Sequence, residues 1–175
     1  MSKSSGIIYK LNFLPKNILI NLYYCLIYPY ITYCIEVWGA ACRTVLQPLR
    51  ICQNKAIRSV NSSGYRASSG PIFKELQLLK IKDVFTRAVG IYMYKIMYNQ
   101  KAQFILNDIN EQQISHPHSL RNAGELRLPD VSILRFKQST FYQTIKVWNA
   151  LPTDLKNTSL IVFKRKLKEY LLNLY

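Results

Sequence analysis

The sequence predicts a mostly α protein: a bundle of helices joined by long polar loops, with at most a short strand or hairpin. Three observations carry that expectation. Apolar residues recur at three- and four-residue steps along the longer segments, the period of one helix face. Residues suited to opening helices, Thr44, Pro71, Asp83 and Ser139 or Thr140, stand at the heads of those runs. Between the runs lie polar stretches rich in Ser, Gly, Asn and Pro, which break regular structure. A chain of 175 residues suits one domain or two small ones.

The opening MSKSSGIIYKLNFLP lacks a long apolar core followed by a small-residue cleavage site, so no secretory signal is expected and an intracellular place, cytoplasmic or nuclear, is. From Asn17 to Ile35 no residue is charged, a length close to the ~20 residues that a helix needs to cross a bilayer. Against a span, Asn17, Asn21, Tyr24, Tyr28, Thr32 and Glu36 form a polar stripe along one helical face. Pro29 removes a backbone hydrogen bond and should kink or split the element near Tyr28, and the tyrosines do not gather at its two ends as an interfacial belt would. The expectation is a buried, slightly bent helix.

In RTVLQPLRICQNKAIRSVNSS, Thr44 can cap a helix whose Leu46, Leu49, Cys52, Ala56, Ile57 and Val60 share a face, with Arg50, Lys55 and Arg58 toward other faces. The run NSSGYRASSGP reads as a hinge or loop. Pro71 then opens a helix with Ile72, Phe73, Leu76 and Leu79 on its apolar face, and Asp83 caps another that carries Val84, Val89, Ile91, Tyr94 and Tyr98. The stretch from Asn107 to Asp130 is a long surface loop, with a short extended piece at Glu125 to Leu128. Ser139 or Thr140 caps a helix with Phe141, Ile145 and Trp148 on one side, ending before Pro152. Thr158 or Ser159 caps the last, where Phe163, Leu167, Leu171 and Leu174 oppose Lys164, Arg165, Lys166 and Lys168. The segments expected are therefore 1–61 helical, 62–70 flexible, 71–106 a helical pair, 107–130 irregular and 131–175 helical.

Charge narrows the function classes. Lys and Arg number 24 against 9 Asp and Glu, a formal net charge of +15. Such an excess attracts phosphate backbones or anionic membrane surfaces and repels cationic partners. The four cysteines, Cys25, Cys34, Cys42 and Cys52, form no Cys-x-x-Cys pair, and His116 and His118 are remote from them, so no zinc site is expected; the thiols are expected reduced and mostly buried. The acidic residues are scattered, with no Asp-Asp pair to hold two magnesium ions, and neither a phosphate-cradling Gly-rich loop nor a nucleophile elbow occurs. No catalytic residue, metal ligand or cofactor is expected in this chain.

Several stretches together resemble a family. LIYPYITYCIEVWGAA, LRICQNKAIRSVN, GPIFKELQLLKIKDVFTRAVGIYMYK, HSLRNAGELRLP, FYQTIKVWNALPTDLKN and FKRKLKEYLL resemble, in that order, the C-terminal region of reverse transcriptases of non-LTR retrotransposons of the LINE and jockey type. QNKAIR and WNALP, in this order and separation, are the most specific pieces. The resemblance implies a helical thumb and the segment after it, which grip RNA or an RNA–DNA hybrid. It also implies that the aspartates and magnesium of the parent polymerase belong to a palm that this sequence does not contain, so that the chain is a fragment without polymerase activity. The apolar first helix would carry a patch that such a palm covers. Carried over as nucleic-acid contacts are Arg50, Lys55 and Arg58 around QNKAIR, with Arg121 and Arg127 around HSLRNAGELRLP; Lys164, Arg165 and Lys168 add a basic face on the last helix. Trp38 and Trp148 look like core anchors. Two other classes compete: a membrane-associated protein with a span near Ile18 to Ile35, its basic last helix on an anionic surface, and an interaction module without a nucleic-acid role.

Overall fold

The computed structural model describes residues 1–99, 126, 128–129 and 134–175. Their order is α1 (Ser2–Lys10), α2 (Lys16–Leu26), α3 (Tyr28–Thr32), α4 (Ile35–Trp38), α5 (Arg43–Val60), α6 (Ser69–Glu75), α7 (Ile81–Asn99), α8 (Leu134–Lys137), α9 (Thr140–Ala150), α10 (Thr153–Lys156) and α11 (Leu160–Asn173). The protein is mostly α, and no strand occurs among the described residues. The chain forms two compact units, residues 1–85 with 168–175, and residues 86–167, so that α7 and α11 each contribute to both. Most of the expected irregular stretch 107–130, including Glu125 and Arg127 of its extended piece, lies outside the described residues.

In the first unit, the uncharged stretch is three short helices instead of one. It breaks at Ile27, directly ahead of Tyr28 and Pro29 in the first turn of α3, and again at Tyr33 and Cys34, where Cys34 takes a left-handed φ of 48°. The split near Tyr28 is the one that Pro29 predicts. Burial runs through the breaks at a four-residue step, with Leu19, Tyr23, Ile27, Ile31 and Ile35 all in the core. Asn17, Asn21 and Tyr24 on the polar stripe face outward. Tyr30, Tyr33 and Val37 are exposed as well. None of the described helices is long and apolar enough to cross a membrane.

Helix α5 packs against α1, α2 and α6 and buries Ala56, Ile57 and Val60. It starts one residue ahead of the expected cap: Cys42 is the N-cap residue and Thr44 lies in the first turn, its hydroxyl 3.0 Å from the Cys42 Sγ. Cys25, Cys34 and Cys42 are exposed and Cys52 half-buried, all four as free thiols. The expectation of mostly buried cysteines fails because Cys25 follows the outward-facing Tyr24, Cys34 sits in a turn and Cys42 at a helix end. Trp38 is also no core anchor. It is half-buried, and its indole N–H donates to the Tyr33 carbonyl at 2.7 Å, closing the turn that starts α4. The residue after it, Gly39, carries the packing: a Cβ there would stand 2.4 Å from the Phe85 ring and 2.6 Å from the Ile35 carbonyl oxygen.

The C-terminus of the chain completes this unit. The Tyr175 hydroxyl donates to Asp83 Oδ2 at 2.7 Å and accepts from the Lys80 N–H at 2.8 Å, while Lys80 Nζ lies 3.8 Å from the centre of the Tyr175 ring. Asp83 stands in the first turn of α7, where its carboxylate takes the Tyr175 hydroxyl.

In the second unit, Trp148 is the core anchor that the sequence suggests. Its ring centroid lies 6.2 Å from that of Phe163 and 6.5 Å from that of Tyr94, and Tyr94 stacks on Phe163 at 4.7 Å. Gly90 admits α11, since a Cβ there would sit 3.2 Å from Leu167. Ser139 caps α9 through its hydroxyl, which accepts from the Tyr142 N–H, and the helix ends at Ala150, ahead of Pro152. Asn149, within WNALP, clasps the backbone of Leu126 from the preceding polar stretch. Its Nδ2 donates to the Leu126 carbonyl at 2.7 Å and its Oδ1 accepts the Leu126 N–H at 3.0 Å. That is a strand-like pairing made by one side chain, and it ties together two stretches that the sequence shows only as separate motifs.

Candidate nucleic-acid interface

Helix α5 supplies three of the expected cations. At about 100° per residue, Lys55 and Arg58 lie about 60° apart around the helix and Arg50 about 140° from Lys55. The structure follows that arithmetic. Lys55 and Arg58 line one cavity of about 700 Å³ within the first unit, walled by α1, the end of α5 and the loop after it, and Arg50 is exposed elsewhere on α5. Arg121 and Arg127 lie outside the described residues. On α11, Lys164 is half-buried and Arg165 exposed in the second unit, and Lys168 is half-buried in the first.

The cavity carries two cations, Lys55 and Arg58. Its other walls include Ser2, Ser5 and Tyr9 of α1, Ser59 of α5, and Ser62 and Tyr65 of the loop, with no carboxylate among its lining residues. Among the described residues no carboxylate pairs with Lys55, whose side chain is exposed. The wall is ordered by hydrogen bonds that the α5 end supplies. Arg58 Nε donates to the Ala67 carbonyl at 2.8 Å, and the Ser63 N–H donates to the Arg58 carbonyl at 2.9 Å. Asn61 Nδ2 reaches Ser63 Oγ at 3.1 Å and Glu75 Oε2 at 3.3 Å. Glu75 is in turn paired with Lys16, and that ammonium holds its carboxyl below the usual value. Glu75, the acid that Asn61 reaches, is thus matched with another cation, and Arg58, Asn61 and Ser63 supply hydrogen bonds to the stretch that reads as a hinge in sequence.

QNKAIR divides its labour. Gln53 is fully buried and makes three hydrogen bonds: its Nε2 donates to the Tyr23 hydroxyl at 3.0 Å and the Leu79 carbonyl at 2.9 Å, and its Oε1 accepts the Ile81 N–H at 3.1 Å. Burial pushes the Tyr23 phenol well above its ordinary value, against the pull of that Gln53 bond, so Tyr23 stays neutral and able to donate. The Gln53 amide therefore locks α2 and the start of α7 onto α5, and Lys55 and Arg58, two and five residues on, are held at the cavity.

Sequence reasoning missed the α1 wall and Tyr65. Helix α1 has little apolar signal to find: Ser4, Ser5 and Ile8 are its buried residues, and two of those three are serines. Tyr65 sits in a run whose composition marks only a loop. No group of three or more metal-ligating side chains occurs among the described residues.

Over 101 residues, 58% of this chain, the sequence is 27% identical to the RNA-directed DNA polymerase from mobile element jockey of Drosophila funebris. The matched part spans 9% of that polymerase's length. No family model matches the chain, and no solved structure matches it.

Proposed function

We propose that this chain is a non-catalytic, nucleic-acid-gripping region of a jockey-type reverse transcriptase, of thumb and post-palm character, which holds RNA or an RNA–DNA hybrid through its basic helices. Its partial similarity to the jockey polymerase supports the family, and the net charge of +15 supports the partner. The observation that carries the reading is the meeting of Lys55 and Arg58 at a carboxylate-free cavity, on a helix locked in place by Gln53 of the same motif. In this reading, template-directed synthesis and its magnesium belong to a palm elsewhere in such a polymerase, and this region supplies sequence-tolerant affinity.

Binding of that kind is electrostatic, so the logarithm of affinity falls linearly with the logarithm of salt, with a slope of about 0.9 per phosphate neutralised. Lys55 is the cleaner residue to remove, because Arg58 also secures the loop through Ala67. Lys55→Ala should leave helicity intact, weaken binding to a blunt RNA–DNA hybrid, and lower the salt slope by about one. An unchanged affinity and slope would move the contact face away from the end of α5.

A further inference from the structure

Beyond the Lys55 and Arg58 charges that hybrid binding uses, the cavity offers a volume of its own. At about 700 Å³ it falls within the ~300–1,000 Å³ typical of sites that enclose a small molecule, and a paired duplex cannot enter such a space. Two aromatic rings stand in its wall with much of their area open: Tyr9 is 67% and Tyr65 77% exposed. Exposed tyrosines that face solvent beside cations offer flat surfaces to a π-system, and stacking of unpaired bases on such rings tolerates any sequence. Lys55 and the Ser59 and Ser62 hydroxyls line the same space and suit a phosphate and sugar. Two glycines in the wall, Gly6 and Gly64, have open space where a Cβ would stand, which leaves backbone accessible to a close ligand.

Resting on the function proposed above, we infer that the cavity takes one unpaired nucleotide of a single-stranded RNA or DNA segment, its base against Tyr65 or Tyr9 and its phosphate at Lys55. The region would then hold a duplex on its basic helices and the flanking unpaired nucleotide in the cavity, with Lys55 at the phosphate where the two meet. The ordered loop favours this. Arg58, Asn61 and Ser63 fix the backbone that carries Tyr65, so that little freedom is lost on binding.

Gly6 makes the test selective. Because nothing lies within 4 Å of its Cβ position, Gly6→Leu places a side chain at the cavity wall with room for its Cβ, and it replaces a helical glycine by a better helix former. Fluorescence anisotropy on the full chain would compare a six-nucleotide single strand with a blunt RNA–DNA hybrid. Gly6→Leu and Tyr65→Ala should each weaken single-strand binding by about tenfold, the loss of one stacked base, and leave blunt-hybrid binding unchanged. Single-strand affinity untouched by both variants, or equal losses on strand and hybrid, would overturn the assignment. AMP that displaces the strand at concentrations below the strand's own dissociation constant would make this a free-nucleotide site, which also overturns it. Failure of the hybrid arm alone would count against the function proposed above and would leave the cavity result readable.

Discussion

Gln53 shows how much one buried amide can decide. It satisfies a side-chain hydroxyl, a carbonyl and an N–H that would otherwise be stranded in the core between α2, α5 and the start of α7. Gln53→Ala should cost about 2–4 kcal/mol in urea unfolding, since buried polar groups left unmade are penalised beyond the bond itself; a loss under about 0.5 kcal/mol would show that water replaces the amide. Asp83 is a second decisive residue, and its effect depends on pH. Burial lifts its carboxyl above the ordinary value, outweighing the Tyr175 hydroxyl, Lys80 and Lys82, which pull it down. The folded chain therefore keeps this proton to higher pH than the unfolded chain, and stability falls as pH rises from the ordinary carboxylate value through the raised one. Asp83→Asn keeps an acceptor for Tyr175 and removes the ionisation. The stability of this variant relative to the native chain should rise between about pH 4 and pH 7. A relative stability that is flat or falls over that interval would contradict the raised value.

Helix boundaries show which signals survive tertiary packing. The split at Pro29, the Ser139 cap and the stop before Pro152 were legible because each is a local backbone effect that needs no partner. The second break, at Cys34, was not, because nothing in ITYCIEVW marks a left-handed residue. Cysteine burial was misjudged for a related reason: Cys25 and Cys42 are placed by which helix face or end they occupy, and residue type alone favours the interior. The glycine in VWGAA is informative only with its neighbour in view. Gly39 is needed because Phe85 and the Ile35 carbonyl leave no room for a methyl group, so Gly39→Ala should destabilise the first unit by about 1–3 kcal/mol, the usual cost of overpacking. Thermal unfolding at an unchanged midpoint would mean that the Phe85 ring moves aside.

For the molecule as a whole, composition sets the expectation of an anionic partner, and the fold decides which charges can act together. Of the cations named from sequence, Lys55 and Arg58 share a cavity, Arg50 lies on another side of the same helix, and Lys164, Arg165 and Lys168 belong to α11. The cavity's other wall was invisible, since α1 is a short helix that contributes serines and a tyrosine to it, and Tyr65 is brought in by hydrogen bonds between residues far too polar to suggest order. The Asn149 clasp on Leu126 was hidden in the same way, because a side chain that imitates a strand leaves no periodic trace.

The most direct measurement is the affinity of the unmodified chain for a blunt RNA–DNA hybrid over a salt series from about 50 to 200 mM. A nucleic-acid grip that neutralises several phosphates predicts a straight log–log plot falling with a slope of several units. Weak binding with a slope near zero would show that the charge of +15 does not serve phosphate contact, and would leave the chain an interaction module of another kind.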